Sequence, residues 1–399
     1  MKLYISKKET VSAPAVVLDD MILTADLPTT AGSKMLDNYK SLFGASVIEK
    51  LTAASYAVAG KANVGELGID LLGETSYFGA ITDKNGNLSL ASAELVKSGE
   101  VKAAIGLDVN GAQRRAAALS GLVYIKPTYG TVSRFGTIPA ACSGETVGVM
   151  ASTVADCKDV LASVVGHDDK DGTSLPEDKC ALVKNGAANL KKVAIIKNLT
   201  ADVDADTAAK IEAAKAALTS DGITVEEIDC DVLKYAQTAW GALMCAELCN
   251  NVSRYDGVKY GHRSENYTTI GELYTNSRTE AFGALLKTAI LYGSETLSDD
   301  NYKPVYDKSL RIRRVISETL AKLLSDYDAL ILPACSKSAY TEADTTANKY
   351  LAFDEALYTA PASITGYPAA VAGGVQLIGA PFSENTLFMA AEIIVKEGN

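Results

Sequence analysis

Short apolar runs rich in β-branched residues alternate with amphipathic stretches along most of this chain. The run Ala15–Leu18 predicts a buried strand, and Ser46–Tyr56 carries apolar residues at helical spacing. Further along, a predicted strand at Val193–Ile196, a helix at Asp206–Leu218 and a strand at Ile223–Ile228 follow one another. Because helices that alternate with strands return the chain to the same edge of a sheet, this order is typical of an α/β fold.

The segment Val232–Leu324 departs from the alternation and has a mainly helical pattern. A strand at Ala329–Leu332 and a helix at Asn385–Val395 then resume the earlier order. No repeat and no Pro/Ser-rich linker divides the 399 residues. We therefore expect one domain over residues 1–399, with a helical insertion at about 232–324.

Charge and apolar content exclude several classes of protein. The chain has 38 Lys and Arg against 49 Asp and Glu, a net charge of −11, which disfavours direct binding to nucleic acid. No apolar run approaches the roughly 18–20 residues that a membrane crossing requires. Seven scattered cysteines, an odd number, favour a reducing compartment, so we expect a cytoplasmic protein without membrane contact.

Motifs for the common cofactors and triads are missing from the sequence. His167 and His262 are the only histidines, and no Gly-x-Ser-x-Gly elbow accompanies them. Cys245 and Cys249 are four residues apart, but no second ligand pair completes a zinc site. No glycine-rich phosphate loop follows a predicted strand. The sequence therefore predicts no cofactor and no metal.

The segment Lys126–Gly136, Lys-Pro-Thr-Tyr-Gly-Thr-Val-Ser-Arg-Phe-Gly, is the most specific motif in the chain. It closely resembles a block of the amidase signature family, in particular the A subunits of glutamine-dependent tRNA amidotransferases. Other blocks with the same resemblance occur at 29–36, 60–63, 166–168, 254–261, 277–283 and 374–379. The resemblance implies an α/β amidase-signature fold, with a central mixed β-sheet covered by helices on both faces.

Members of that family hydrolyse amides with a lysine and two serines, and the resemblance places apolar residues at all three positions. The nucleophile position falls on Ala112, in a segment where Asp108 and Gly111 remain as a remnant of the oxyanion loop. The bridging serine falls on Leu88 and the lysine on Leu18. We therefore expect these three side chains to meet and fill the old pocket. This substitution pattern predicts a catalytically inactive paralogue that acts as a binding or scaffolding protein.

Two alternatives stay open. The first is an active amide hydrolase with a relocated nucleophile, for which the candidates are Ser89, Ser92, Ser120 and Ser143 with Lys61, Lys97 or Lys126 as the base. The second is an amino-acid sensor.

Ligand and partner expectations come from the same resemblance. Arg313 occupies the position that would hold the carboxylate of glutamine through paired hydrogen bonds. A solvated helix face explains Arg313 equally well, since Arg311 and Arg314 are its neighbours. Other amidotransferase subunits, a related amidase or a small amino acid are the expected partners.

Overall fold

A computed structural model describes residues 2–11, 14–37 and 39–396 of the chain. The described residues form thirteen strands. In chain order these are β1 (Tyr4–Lys7), β2 (Ala15–Asp19), β3 (Ala57–Ala62), β4 (Ile81–Thr82), β5 (Leu88–Ser89), β6 (Ala103–Asp108), β7 (Val123–Lys126), β8 (Thr146–Ala151), β9 (Lys192–Ile196), β10 (Thr224–Ile228), β11 (Ala329–Pro333), β12 (Ala369–Ala372) and β13 (Val375–Ile378).

Fifteen α-helices accompany the strands within the described ranges. They are α1 (Ser46–Ala53), α2 (Ala91–Lys97), α3 (Ala112–Ser120), α4 (Val154–Val164), α5 (Glu177–Asn185), α6 (Ala205–Ser220), α7 (Tyr235–Val252), α8 (Ile270–Ala281), α9 (Ala284–Thr296), α10 (Asp299–Asn301), α11 (Lys308–Asp326), α12 (Glu342–Ala347), α13 (Leu351–Asp354), α14 (Ala356–Thr365) and α15 (Glu384–Lys396). No helix of the described residues is both long and apolar enough to cross a membrane.

Eleven of these strands form one mixed sheet in the order β1-β3-β2-β6-β8-β7-β12-β13-β11-β9-β10. The pairs β2–β3, β2–β6, β9–β10 and β9–β11 are parallel, and the other neighbours are antiparallel. The hairpin β12–β13 lies between β7 and β11 and joins the two halves of the sheet. Strands β4 and β5 form a separate hairpin.

Each face of the large sheet is covered by its own apolar cluster, because successive side chains of a strand point to opposite faces. Val16 and Leu18 of β2 belong to the larger cluster, which also contains the buried faces of α4, α6, α7 and α15. Val17 belongs to the smaller cluster, together with the apolar residues of α2 and α3. The predicted fold class is confirmed: a mixed sheet has helices on both faces.

One helix end differs from its sequence prediction. The helix expected over Ser46–Tyr56 ends at Ala53. Ser55 takes a left-handed conformation with φ 65°, and helical hydrogen bonding cannot continue through that backbone. The chain then enters β3 directly at Ala57.

The segment between β10 and β11 contains helices α7 to α11. Trp240 of α7 is fully buried in the larger cluster. This helical segment therefore packs on the same core as the strands around it.

Candidate active site

Leu18, Leu88 and Ala112, the residues at the three family positions, lie in two different apolar clusters. Leu18 is fully buried in β2 and belongs to the larger cluster. Leu88 in β5 and Ala112 at the start of α3 belong to the smaller cluster, on the other face of the sheet. The expected meeting of all three side chains in one plug is therefore absent from this structure.

Leu18 is paired with Lys61 of β3, and this lysine is one of the candidate bases. The Lys61 Nζ atom donates to Thr29 Oγ1 at 2.8 Å and to Asp20 Oδ1 at 3.1 Å. Burial lowers the pKa of Lys61, and the facing Asp20 carboxylate opposes that shift. Both ionic side chains have no exposed area. Lys61 therefore forms a closed internal ion pair that no substrate reaches in this structure.

The turn from β6 into α3 is held by Asp108. Its carboxylate accepts from the Gly111 N–H at 3.1 Å and from two nitrogens of Arg114 at 2.9 Å each. Burial opposes the charge of Asp108, but the adjacent Arg114 cation outweighs it and holds the pKa below its usual value. Since Gly111 donates its N–H to this turn, the remnant of the oxyanion loop is closed on itself.

A polar cavity of about 220 Å³ lies beside Leu88, at the opposite end of α3 from Ala112. Its walls come from the β4–β5 hairpin, helix α2, the last turn of α3 and the loop that follows β11. Its lining residues are Asp83, Asn85, Asn87, Leu88, Ser89, Glu94, Lys97, Leu119, Ser120, Ser338 and Ala339. Three hydroxyl groups, two carboxyl groups and one amine therefore surround a space the size of a small molecule.

Ser89 and Glu94 form the closest functional pair in this cavity. Ser89 is 4% exposed, and its Oγ donates to Glu94 Oε1 at 2.7 Å. Glu94 and Lys97 are three residues apart in α2 and therefore share one face of the helix. The N–H of Leu88 donates to the carbonyl of Tyr340 at 2.7 Å, which fixes β5 against the distant loop.

Ser338 and Asp83, two further polar residues of the cavity, are committed to other partners. Ser338 Oγ donates to Asp204 Oδ2 at 2.8 Å. Asp83 Oδ1 accepts from the N–H groups of Asn85 and Asn87 at 2.8 and 2.9 Å. Burial works against the Asp83 charge, but these hydrogen bonds prevail and lower its pKa. Asp83 is thus an ionised carboxylate at the edge of the cavity.

The remaining candidates for a relocated site lie elsewhere. Ser92 is buried, and its Oγ has no hydrogen-bond partner among the described residues. The Lys126 amine donates to the carbonyl of Tyr367 at 2.9 Å. Burial, followed by the nearby Arg114 charge, lowers the pKa of Lys126 to about 7. Of the candidate serines and lysines, the structure brings together Ser89, Ser120 and Lys97.

Arg313 points inward from α11, whereas its neighbours do not. Its guanidinium donates to Ser143 Oγ at 3.0 Å and to the Ser143 carbonyl at 2.7 Å. The side chains of Arg311 and Arg314 are 77% and 81% exposed. Arg313 is absent from the lining of the polar cavity. The position expected to bind a carboxylate therefore occupies a second, separate location.

Sequence reasoning missed Glu94, Asp83 and Ser338 as members of the site. Glu94 lies on the same helix face as Lys97, and this i, i+3 spacing is the signal that could have identified it. Ser338 is about 240 residues away from the hairpin in the sequence, and no local pattern connects it to the cavity. Among the described residues, no group of three or more His, Cys, Asp or Glu could hold a metal ion.

Comparisons with known proteins extend over nearly the whole chain. A family model described as Amidase matches residues 14–388. The A subunit of the glutamyl-tRNA(Gln) amidotransferase of Latilactobacillus sakei is 37% identical over 393 residues, which cover 94% of this chain and 80% of the relative. The protein of the same name from Acinetobacter baylyi is 36% identical, over 92% of this chain and 79% of the relative. The crystal structure of the corresponding Thermotoga maritima protein superposes with a TM-score of 0.81 at 28% identity, over 99% of this chain and 87% of that one.

These comparisons contradict the expectation of a catalytically inactive, scaffolding paralogue. Relatives at 32% to 37% identity all carry the name of the amidotransferase subunit, and they match 92% to 97% of this chain. The physical premise also fails in part, because Leu18 packs on the other face of the sheet from Leu88 and Ala112. The similarity favours the alternative, the A subunit of an amidotransferase.

Proposed function

Because the chain belongs to the amidase family, we propose that it hydrolyses a carboxamide and releases ammonia, as the A subunit of a glutamine-dependent tRNA amidotransferase. The observation that carries this proposal is the 37% identity to such a protein over 94% of the chain. Leu18, Leu88 and Ala112 offer neither an amine nor a hydroxyl, so the proposal places the nucleophile at another serine. The polar cavity beside Leu88 supports it, since that cavity contains the hydroxyl, carboxylate and amine groups of acyl-transfer chemistry.

The proposal includes partners and a location. We expect the chain to work with other amidotransferase subunits and not to hold nucleic acid by itself, since its net charge is −11. A cytoplasmic location agrees with seven cysteines that are all free.

Ammonia release tests the proposed function. The purified chain, alone and mixed with the other amidotransferase subunits of its source, is incubated with glutamine, asparagine and acetamide, and ammonia is measured by a coupled dehydrogenase assay. We expect ammonia above that of a heat-denatured sample with at least one of these amides. Release at the level of the denatured sample, in every mixture, would overturn the proposal.

A second candidate function is the binding of an amino-acid carboxylate by Arg313. The observation that favours it is the inward direction of this guanidinium, while Arg311 and Arg314 face solvent. A ligand carboxylate would accept the two N–H groups that Ser143 now receives, and Arg is well suited to such a paired contact.

Thermal unfolding with glutamine tests Arg313 independently of hydrolysis. We expect glutamine to raise the unfolding temperature of the wild type and of Arg314→Ala, but not of Arg313→Ala. Arg314→Ala is the matched control because it removes the same charge from the next residue of α11. An equal rise in all three proteins, or no rise in the wild type, contradicts the role of Arg313.

A further inference from the structure

We propose that Ser89 is the nucleophile of the amide hydrolysis and that Glu94 is its general base, inside the polar cavity between the β4–β5 hairpin and α2. The inference rests on the proposed function and assigns its reacting groups. A serine hydroxyl attacks a carbonyl only after a base has accepted its proton, so the nucleophile must contact a base. Ser89 meets this requirement, because its Oγ donates to Glu94 Oε1 at 2.7 Å.

The cavity distinguishes Ser89 from its other two hydroxyl groups. Ser338 Oγ already donates to Asp204, which lies outside the lining residues. Ser120 ends helix α3, and no carboxylate partner is described for it. Ser89 therefore combines a carboxylate partner within the cavity with a position in its wall.

Lys97 supplies the positive charge that the reaction requires. Attack on an amide carbonyl places a negative charge on the carbonyl oxygen, and a fixed donor or cation at that point lowers the barrier. Lys97 shares the cavity and the helix face of Glu94. The structure therefore assigns to Lys97 the stabilisation of the oxyanion, while Glu94 handles the proton.

The chemistry balances in two steps. In the first, a bond forms between Ser89 Oγ and the amide carbon, Glu94 accepts the Oγ proton, and the C–N bond breaks as that proton passes to the leaving nitrogen, which departs as ammonia. In the second, water attacks the resulting ester, Glu94 accepts a proton from the water, and this proton returns to Ser89 as the carboxylic acid leaves. No oxidant, reductant or metal is consumed.

The dimensions of the cavity define the substrate class. A volume of about 220 Å³ with a largely polar wall accommodates a small, polar primary amide. An amide within a folded macromolecule would not enter it. We therefore expect free low-molecular-weight amides to react.

Active-site labelling identifies the nucleophile without depending on amide turnover. The whole chain is treated with a fluorophosphonate, and the modified residue is identified by peptide mass spectrometry. We expect modification of Ser89 in the wild type and none in Ser89→Ala. Ser98→Ala, a change just past the end of α2 and outside the cavity, is the matched control and should keep wild-type labelling.

Kinetics and folding measurements complete the test. We expect Ser89→Ala to lower kcat for ammonia release by at least about 10³-fold and Glu94→Gln by about 10²–10⁴-fold. Lys97→Met should lower kcat by about 10²–10³-fold. Circular dichroism melting shows whether each variant retains the wild-type fold, and the pH profile of Lys97→Met should keep the wild-type acidic limb, which Glu94→Gln should lose.

The outcomes separate the inference from the proposed function. Ammonia release that survives in folded Ser89→Ala, or labelling of another serine, overturns the inference and leaves the function standing. Labelling of Ser89 without ammonia from any amide overturns the function and supports Ser89 as a nucleophile. Absence of both labelling and ammonia overturns both.

Discussion

Arg114 is fully buried, and each of its five N–H groups faces an acceptor. Two donate to Asp108, and the others reach Gln376 Oε1, Ser363 Oγ and the Thr359 carbonyl, at distances between 2.7 and 2.9 Å. These acceptors come from β6, β13 and α14. A buried charge is tolerated when its hydrogen bonds are complete, and removal of one partner strands the other. Arg114 thus joins three distant segments at the start of α3.

We expect Arg114→Met to lower the free energy of unfolding by about 3–5 kcal/mol, because it leaves the Asp108 carboxylate buried without its cation. Urea denaturation measures the change. Arg311→Ala is the control: its partner is Asp307 and its side chain is 77% exposed, so a change below about 1 kcal/mol is expected. Equal effects of the two substitutions would contradict the role assigned to Arg114.

Asp19 predicts how stability depends on pH. Burial raises the pKa of Asp19 to about 8 from its usual 3.8, although a backbone hydrogen bond at Leu107 opposes the shift. The folded state therefore retains a proton that the unfolded state releases, and the contribution of Asp19 to stability falls as pH rises from about 4 to about 8.

Asp19→Asn stays neutral throughout this range and can still accept the Gln113 hydrogen bond. Between about pH 5 and about pH 8, we expect the wild type to lose stability relative to this variant by up to about 1 kcal/mol per pH unit. Urea midpoints at both pH values measure the loss. The exposed Asp221→Asn should follow the wild type, and a wild type that runs parallel to Asp19→Asn would contradict the shift.

Helix α3 has a left-handed glycine at each end, and the two glycines have different surroundings. Gly111 has φ +88°, and a Cβ built on it would lie 2.4 Å from Thr359 Oγ1. Gly121 has φ +70° with nothing within 4 Å of the same position. The two ends therefore separate backbone strain from steric overlap within one element.

We expect Gly121→Ala to lower the free energy of unfolding by about 1 kcal/mol, from backbone strain alone. Gly111→Ala should cost about 1–3 kcal/mol more, because it also overlaps Thr359. Chemical denaturation of both variants, and of Gly111→Ala combined with Thr359→Ala, measures the difference. Failure of the second substitution to recover stability would contradict the steric cause.

The elements differed in how much the sequence disclosed about them. Continuous apolar runs such as Ala329–Leu332 predicted strands correctly, since only a strand buried on both faces accepts such a run. Strand β12, Ala369–Ala372, was missed because three of its four residues are alanine, which has little preference for strands. In α3, Arg114 and Arg115 are both fully buried, a state that helical periodicity alone does not indicate because it depends on acceptors from distant segments.

At the scale of the whole molecule, the cysteines report on how tightly the chain packs. Cys142 and Cys249 are half-buried, the other five cysteines are buried, and none forms a disulfide. Burial raises the pKa of the Cys142 and Cys249 thiols, which slows their reaction.

With an aromatic disulfide reagent we expect at most two thiols to react in the native protein and all seven in guanidinium chloride. Absorbance of the released thiolate counts them. Cys142→Ser and Cys249→Ser should each remove one native equivalent. Rapid reaction of more than two thiols in the native state would contradict the described packing.

The candidate site shows where sequence reasoning ends. Ser89, Ser120 and Lys97 could be named from the sequence because each is a chemically competent residue near a family position. Their assembly in one cavity depends on α3 bringing Ser120 to the β4–β5 hairpin and on the loop after β11 closing one side. The family domain assignment over residues 1–399, with an insertion at about 232–324, stays a prediction.

The position of the β12–β13 hairpin in the sheet has a consequence for synthesis. Until residues 369–378 leave the ribosome, the sub-sheets that end at β7 and at β11 have no strand to connect them. A nascent chain therefore carries two unpaired edges through most of its translation, and such edges readily pair with other chains. Chaperone protection during elongation, and a final folding step only after release of the C-terminal segment, follow from this one late insertion.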